Sequence, residues 1–156
     1  MGFCLFENVK HPGKFFAINP SYVTAVKARQ HIGDRNSSLI ELSIPTKGFQ
    51  AHAFGTSAEI EKILMQGSKI GFDALNVTVL AGVRKKKPQK FRMTNANKVV
   101  ALHEVYANEV AGGDGSFLTA SQMFAEGQDL QYIVERPGVF AMRANANDKV
   151  PTLLLG

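Results

Sequence analysis

The chain has 156 residues, of which 45% are hydrophobic and 20% are charged, and its formal net charge is +5. This composition is typical of a globular protein and excludes a disordered chain, which combines low hydrophobicity with high net charge. No apolar run approaches the roughly 20 residues of a membrane-spanning helix, and the first ten residues lack the order of a signal peptide. Cys4 is the only cysteine, so an intramolecular disulfide and Cys-rich zinc modules are excluded. We therefore expect a cytoplasmic protein without a membrane partner.

The first half of the chain predicts five short strands followed by a helix. The strands are expected at residues 3–7, 15–18, 22–29, 39–44 and 49–54, where strand-forming residues cluster or alternate between turn residues. Thr56 and Glu59 have the spacing of a capping box, and the apolar residues that follow have helical spacing. Gly67 is a natural C-terminal stop for this helix.

The second half predicts the same order of elements from weaker signals. Its strands are expected at residues 76–83, 91–94, 98–106, 116–124 and 130–135, with a hairpin tip at residues 112–115. The basic segment from Arg84 is expected to form the turn between the first two of these strands. Pro137 suits the first turn of a helix over residues 139–146, although Gly138 weakens that helix. The apolar tail at residues 150–155 must pack on the other half or on another subunit.

An internal repeat relates the two halves. A shift of 76 positions aligns several residues of similar type: Pro12 with Pro88, Lys14 with Lys90, Phe15 with Phe91 and Asn19 with Asn95. Few aligned positions are identical, so chance similarity between two β-rich halves is the alternative. We predict an α+β protein of two tandem β-rich modules, residues 1–68 and 69–156, each an antiparallel sheet closed by one helix. Because one such module buries little core, the two are expected to pack as a pseudo-dimer.

The segment that contains Ile18-Asn19-Pro20, within residues 16–26, resembles small bacterial and phage proteins of the flagellar FlbD type. That family has a strand, an Ile-Asn-Pro break, a strand, a hairpin, a strand and a helix, and the resemblance covers about the first 66 residues. In the second copy Ala96 replaces Pro20. The family is regulatory and non-catalytic, so the resemblance implies no active-site residues. The element order is also similar, in architecture alone, to Whirly-type and coactivator-type single-stranded DNA-binding folds.

The positive charge is concentrated in one short segment. Residues 69–92 hold seven Lys or Arg and one acidic residue, whereas residues 93–156 hold four basic and seven acidic residues. Such a run is either a solvated loop or a patch that contacts nucleic-acid phosphates. The candidate phosphate contacts are Arg84, Lys85, Lys86, Lys87, Lys90 and Arg92, with Lys10 and Lys14 in the equivalent turn of the first module. Phe16 and Phe91, which lie next to basic residues, are the candidates for base stacking.

No pattern in the sequence indicates catalysis, a cofactor or a metal site. A Walker loop, a dinucleotide-binding fingerprint and a nucleophile elbow are missing, and the four histidines lack metal-ligand spacing. Cys4 is expected to be a buried, inert thiol. We therefore predict a non-enzymatic protein that binds single-stranded or structured DNA or RNA. One alternative is a homo-oligomeric structural or assembly protein, such as a phage virion or accessory component. The other is a protein that binds or sequesters a small molecule between its modules.

Overall fold

A computed structural model describes residues 2–67, 74–80, 88–105, 120–146 and 149–154 of the chain. In the first half these residues form the strands and helix β1 (Cys4–Glu7), β2 (Phe15–Ile18), β3 (Val23–Ile32), β4 (Arg35–Leu42), β5 (Ala51–Phe54) and α1 (Ser57–Gln66). In the second half they form β6 (Ala74–Leu80), β7 (Pro88–Asn95), β8 (Val99–Val105), β9 (Ala120–Ala125), β10 (Gln131–Ile133) and α2 (Pro137–Ala144). The predicted α+β class is confirmed.

Several predicted boundaries differ from the structure. Pro88 to Lys90 were expected in a turn but belong to β7, where Leu80 pairs with Pro88 and Val79 with Lys90. Strand β3 extends to Ile32, three residues further than the alternation of apolar residues predicts, because the hairpin with β4 continues beyond the buried part of the sheet. The predicted turn at residues 84–87 and the predicted tip at residues 112–115 lie outside the described residues.

Helix α1 begins at the predicted capping box. The Glu59 N–H donates to the Thr56 hydroxyl at 3.1 Å, and the Thr56 N–H donates to the Glu59 carboxylate at 2.9 Å. The helix ends at Gly67 as predicted, but the φ angle of that residue is −81° and is accessible to any residue. Glycine is needed there for space, since a Cβ would lie 2.6 Å from the carbonyl oxygen of Gly2.

The strands of the two predicted modules are not divided into one sheet each. A seven-stranded sheet has the order β1-β2-β8-β9-β10-β6-β7, and a second sheet has the order β3-β4-β5. Strand β2 pairs antiparallel with β8 of the other half, with Phe16 opposite His103 and Ile18 opposite Ala101. The prediction of a separate sheet in each module is therefore wrong. Pairing with β8 satisfies the backbone groups that the free edge of a β1–β2 hairpin would leave unpaired.

The two larger hydrophobic cores lie on opposite faces of the seven-stranded sheet. Side chains alternate along β2, so successive residues enter different cores. Along β8 the alternation is interrupted where the register shifts, and Val100 and Ala101 enter the same core. The first core packs the sheet against β3, β4, β5 and α1 and includes Phe6, Phe16, Ile18, Ile40, Phe49 and Ile60. The second core packs it against α2 and includes Phe3, Ala17, Leu102, Met123, Ile133 and Phe140. Helix α2 thereby covers β1 and β2, which belong to the first half of the chain.

The chain adopts the same local conformation at two places that are 76 residues apart. Asn19 and Asn95 each precede a single 3-10 turn, with φ and ψ angles of −84° and 112° in one case and −82° and 108° in the other. Each Asn side chain accepts the N–H of the residue two positions ahead, at 3.1 Å and 3.0 Å. Strand–turn–strand segments of matching geometry therefore lie in the two halves.

The two ends of the described chain meet at the sheet. The Asn145 side chain accepts the N–H groups of Gly2 and Phe3, both at 2.9 Å, and donates to the Phe3 carbonyl at 3.2 Å. The Leu5 N–H donates to the Pro151 carbonyl at 2.9 Å, and the Leu153 N–H donates to the Leu5 carbonyl at 3.2 Å. The apolar tail thus lies parallel to β1, and its described part packs on the first half of the chain.

Replacing Gly55 by alanine is expected to lower the free energy of unfolding by about 2 kcal/mol. Gly55 has a φ angle of +129°, and a Cβ on it would lie 2.5 Å from Cδ2 of Leu153. The substitution combines backbone strain with displacement of the tail. Chemical denaturation of Gly55→Ala and Gly127→Ala separates the displacement of the tail from the backbone strain. Gly127 also has a positive φ, +72°, but the space around its Cβ position is open. Equal losses in the two variants would show that the tail contact contributes nothing.

Candidate nucleic-acid interface

Two of the six candidate cations of the second half, Lys90 and Arg92, belong to strand β7. Arg84, Lys85, Lys86 and Lys87 fall outside the described residues. The backbone of β7 contains the other three candidates of this half, with Lys90 opposite Val79, Phe91 opposite Thr78 and Arg92 opposite Val77 on β6. β7 is the last strand in the order of the seven-stranded sheet. Among the described strands it is therefore an edge, to which an extended ligand has access.

The turn between β1 and β2 contains the two candidate cations of the first half. It is closed by the Asn8 N–H, which donates to the Lys14 carbonyl at 2.9 Å, and by the Gly13 N–H, which donates to the Glu7 carboxylate at 3.0 Å. Lys10 is exposed at this turn. Lys14 is only 24% exposed, and its ammonium lies 3.4 Å from the Glu104 carboxylate. Lys10 is therefore the better placed of the two to meet a phosphate.

The strand order separates the described cations of β7 from the β1–β2 turn. In the seven-stranded sheet Phe16 lies opposite His103, which lies opposite Gln122, which in turn lies opposite Tyr132. Because Ile133 pairs with Val79 and Val79 with Lys90, this register places Lys90 level with Phe15, near the height of the β1–β2 turn. Five strand spacings nevertheless separate β2 from β7, roughly 24 Å across the sheet. The cations of β7 and those of the β1–β2 turn are therefore separate points of contact, not one continuous patch.

Phe16 is not available to a nucleic acid. Its side chain is fully buried, and its ring centroid lies 6.0 Å from that of Phe6 and 5.4 Å from that of Phe49. The prediction that Phe16 stacks on a base is therefore wrong, because this ring fills the core between the two sheets. Phe15, on the other face of β2, is half-buried.

A basic arm that the sequence analysis did not identify is formed by β3 and β4. Residues 27–34 of this hairpin are all exposed, and the turn is closed by Gly33 with a φ angle of +64°. Lys27 forms an ion pair with Glu41 at 3.0 Å, whereas the side chain of Arg29 donates to the Ala28 carbonyl at 3.3 Å. The signal that could have revealed the arm is the row of basic residues before Gly33, at positions 27, 29 and 31.

The base of this arm is fixed to the β1–β2 turn by a paired arginine. The Arg35 guanidinium donates to both carboxylate oxygens of Glu7, at 2.8 and 3.2 Å, and lies 3.6 Å from the centroid of the Phe54 ring. The hydrogen bond from Arg35 is the main reason that the pKa of Glu7 is lowered. Burial, with smaller contributions from the nearby Arg29 and Lys10 charges, lowers the pKa of His52. Arg29 and Lys10 therefore both lie near His52, which is on β5.

A buried polar cluster crosses the sheet in the first core. His103 is 7% exposed, and its ring stacks on Phe49 with a centroid distance of 4.5 Å. His103 Nε2 is hydrogen-bonded to Oε1 of Gln122, and Nε2 of Gln122 donates to the Tyr132 hydroxyl at 3.0 Å. Burial lowers the pKa of His103 to about 4. The imidazole is therefore neutral at physiological pH and contributes to packing between the sheets.

Acid is expected to weaken the fold through His103. Its pKa is about 4 in the folded protein against an ordinary value of 6.5, so the unfolded state binds the proton more tightly. The neutral imidazole makes its full contribution to the free energy of unfolding above about pH 6.5. As the pH falls toward 4, the free energy of unfolding decreases by on the order of 3 kcal/mol. Urea denaturation across this range should show a flatter pH dependence for His103→Leu than for the wild type. The exposed control His31→Gln should keep the wild-type slope, and a slope unchanged in His103→Leu would contradict the assignment.

The remaining candidates for chemistry are buried or scattered. Cys4 is fully buried, so the prediction of a buried thiol is confirmed, and burial raises the pKa of this thiol to about 12. Within the part of the chain that the structure describes, no three His, Cys, Asp or Glu side chains are grouped to hold a metal ion. Neither described helix is long and apolar enough to cross a membrane.

Comparison with known proteins finds no family model, no curated protein and no solved structure that matches this chain. The function must therefore be argued from the residues and their geometry.

Proposed function

We propose that the protein binds single-stranded or structured DNA or RNA through the basic segment of residues 84–92, and that it catalyses no reaction. The observation that carries the proposal is the placement of six cations within nine residues, on a segment that leads into the edge strand β7. Clustered Lys and Arg neutralise phosphates and release counterions, which is the main source of affinity for nucleic acids. The edge of the sheet at β7 is where we expect an extended ligand to bind.

The charge of the two helices favours a single strand over a duplex. A helix that reads the major groove carries basic and polar residues on its outer face. Helix α1 contains Glu59 and Glu61 with Lys62 as its one cation. The one cation of α2, Arg143, donates to both carboxylate oxygens of Glu135, at 2.7 and 2.9 Å. Neither described helix is therefore suited to the major groove.

The other candidate residues have secondary roles in this proposal. Phe91, next to Lys90 and Arg92 in the chain, is the remaining candidate for base stacking. Lys10 and Arg29, which both lie near His52, offer a second point of phosphate contact. A long single strand would reach both places, whereas a short one would occupy only the basic segment.

We also infer that the chain arose by tandem duplication of one module of the FlbD-like kind. The two Asn-capped 3-10 turns support this inference, as does the pairing around them. Asn8 forms a bridge with Ala53 in the first half, and Val79 pairs with Ile133 in the second. In each half, the strand that opens the module lies beside the strand that precedes its helix. The basic segment would then be the diverged counterpart of the β1–β2 turn.

The assembly alternative has less support from the described residues. It relied on the apolar tail, but Leu153 packs in the first core and its N–H is bonded to β1. Among the described residues of the tail, the leucine that remains accessible to a partner is Leu154, which is 77% exposed.

Binding to labelled single-stranded DNA, single-stranded RNA and duplex DNA of equal length tests the proposal. Fluorescence anisotropy at low salt should show binding to both single strands and weaker binding to the duplex. Tighter binding to the duplex would contradict the argument from the helices, and the absence of binding to all three would contradict the proposal.

A further inference from the structure

A groove with a volume of about 630 Å³ opens between the β1–β2 hairpin and the start of helix α2. Leu5, Lys14 and Phe15 line one side of it, and Arg136, Val139 and Met142 line the other. The two sides come from different halves of the chain, so the groove exists only where the halves meet. Its volume is within the range of sites that bind small molecules.

Charged side chains lie at one end of the groove. The Lys14 ammonium lies 3.4 Å and the Arg136 guanidinium 3.7 Å from the carboxylate of Glu104, which is 14% exposed. Of the two cations, Arg136 is the more exposed. Arg136 is 65% exposed, and its planar guanidinium has five N–H donors, so it can hold a further carboxylate while it remains beside Glu104.

The rest of the groove is apolar and open to solvent. Val139 and Met142 lie one turn apart on α2 and are 45% and 46% exposed. Leu5 and the half-buried Phe15 also line the groove, on its other side. An apolar wall beside the exposed guanidinium of Arg136 is complementary to a molecule that has an apolar body and one negative group.

We propose that this groove binds a small amphipathic carboxylate, such as a medium-chain fatty acid or an aryl acid. The carboxylate contacts Arg136, and the apolar body covers Val139, Met142 and Phe15. The charge complementarity sets the sign of the head group, and the volume limits the ligand to a small molecule. This site is separate from the basic segment, so it does not depend on the proposed binding of nucleic acid.

Isothermal titration with decanoate, below its micelle concentration, tests the proposal on the full-length protein. Decanoate should bind, whereas decyltrimethylammonium, which has the same chain and the opposite charge, should not. Arg136→Gln is expected to weaken binding of decanoate roughly tenfold, because one charge-assisted contact is lost. Lys62→Gln, which removes an exposed cation of α1 outside the groove, should leave the affinity unchanged.

A second variant tests the apolar wall. Met142→Asp places a negative charge at an exposed position of α2 and should abolish binding, while circular dichroism checks that the fold is retained. The proposal would be overturned by the absence of decanoate binding to the wild type. Equal binding of the cationic probe, or an unchanged affinity in both Arg136→Gln and Met142→Asp, would also overturn it.

Discussion

Replacing Asn145 by leucine is expected to lower the free energy of unfolding by roughly 3 kcal/mol or more. The Asn145 side chain is 5% exposed and makes three hydrogen bonds to the backbone of Gly2 and Phe3. Leucine would leave two buried N–H groups and one buried carbonyl without these hydrogen bonds. It would also release Phe3, whose ring packs edge-on against Phe140 with a centroid distance of 5.5 Å in the second core.

Chemical denaturation with two further variants separates this role from a general loss of asparagine. Asn145→Asp keeps the acceptor for both N–H groups but loses the donor to the Phe3 carbonyl, so an intermediate loss is expected. Asn36→Leu changes an exposed asparagine and should cost little. If Asn145→Leu were no more destabilised than Asn36→Leu, the link between the two ends of the chain would not contribute to stability.

Replacing Arg84, Lys85, Lys86 and Lys87 together by glutamine is expected to weaken binding to single-stranded nucleic acid roughly 100-fold or more at low salt. These are four of the six clustered cations of the proposed interface. Each is expected to neutralise a phosphate, so their removal takes away most of the counterion release. Fluorescence anisotropy with a labelled single strand measures the loss.

A variant with the same change in net charge provides the control. Lys27, Lys47, Lys62 and Lys98 are exposed lysines of the described residues that lie outside the basic segment. Their replacement by glutamine should weaken binding only slightly, through the lower overall charge. Equal losses in the two variants would show that the net charge of the protein, and not the basic segment, is responsible for binding.

The sequence predicted those strand and helix boundaries that are determined by residues close to them in the chain. The strand Phe15–Ile18 was predicted with its observed bounds because Asn19-Pro20 interrupts the extended chain. The start of α1 was also predicted, because Thr56 and Glu59 are only three residues apart. In both cases the residues that determine the boundary lie within one turn of it.

The pairing of the sheet could not be predicted, because it depends on contacts that are distant in the chain. Strand β2 pairs with β8, and the tail pairs with β1. No pattern within either strand identifies its neighbour. The alternation of a strand places Phe15 and Phe16 on opposite faces, but it does not show that both faces of the sheet are covered.

The functional features show the same difference between local signals and contacts that are distant in the chain. The charge of residues 84–92 is visible in the composition alone, whereas the groove requires Lys14 to meet Glu104, which is 90 residues away. The basic arm of β3 and β4 became evident only when the structure showed residues 27–34 to be exposed.

The dependence of binding on salt concentration tests the central claim most directly. Affinity for a labelled single strand would be measured by anisotropy over a series of salt concentrations. For single strands the logarithm of the affinity falls with the logarithm of salt by about 0.7 for each phosphate neutralised, so six contacts predict a slope of about −4. The variant without the four cations at residues 84–87 should have a slope near −1.4, since about two contacts remain. Binding that is insensitive to salt, or a slope that the variant leaves unchanged, would contradict the account.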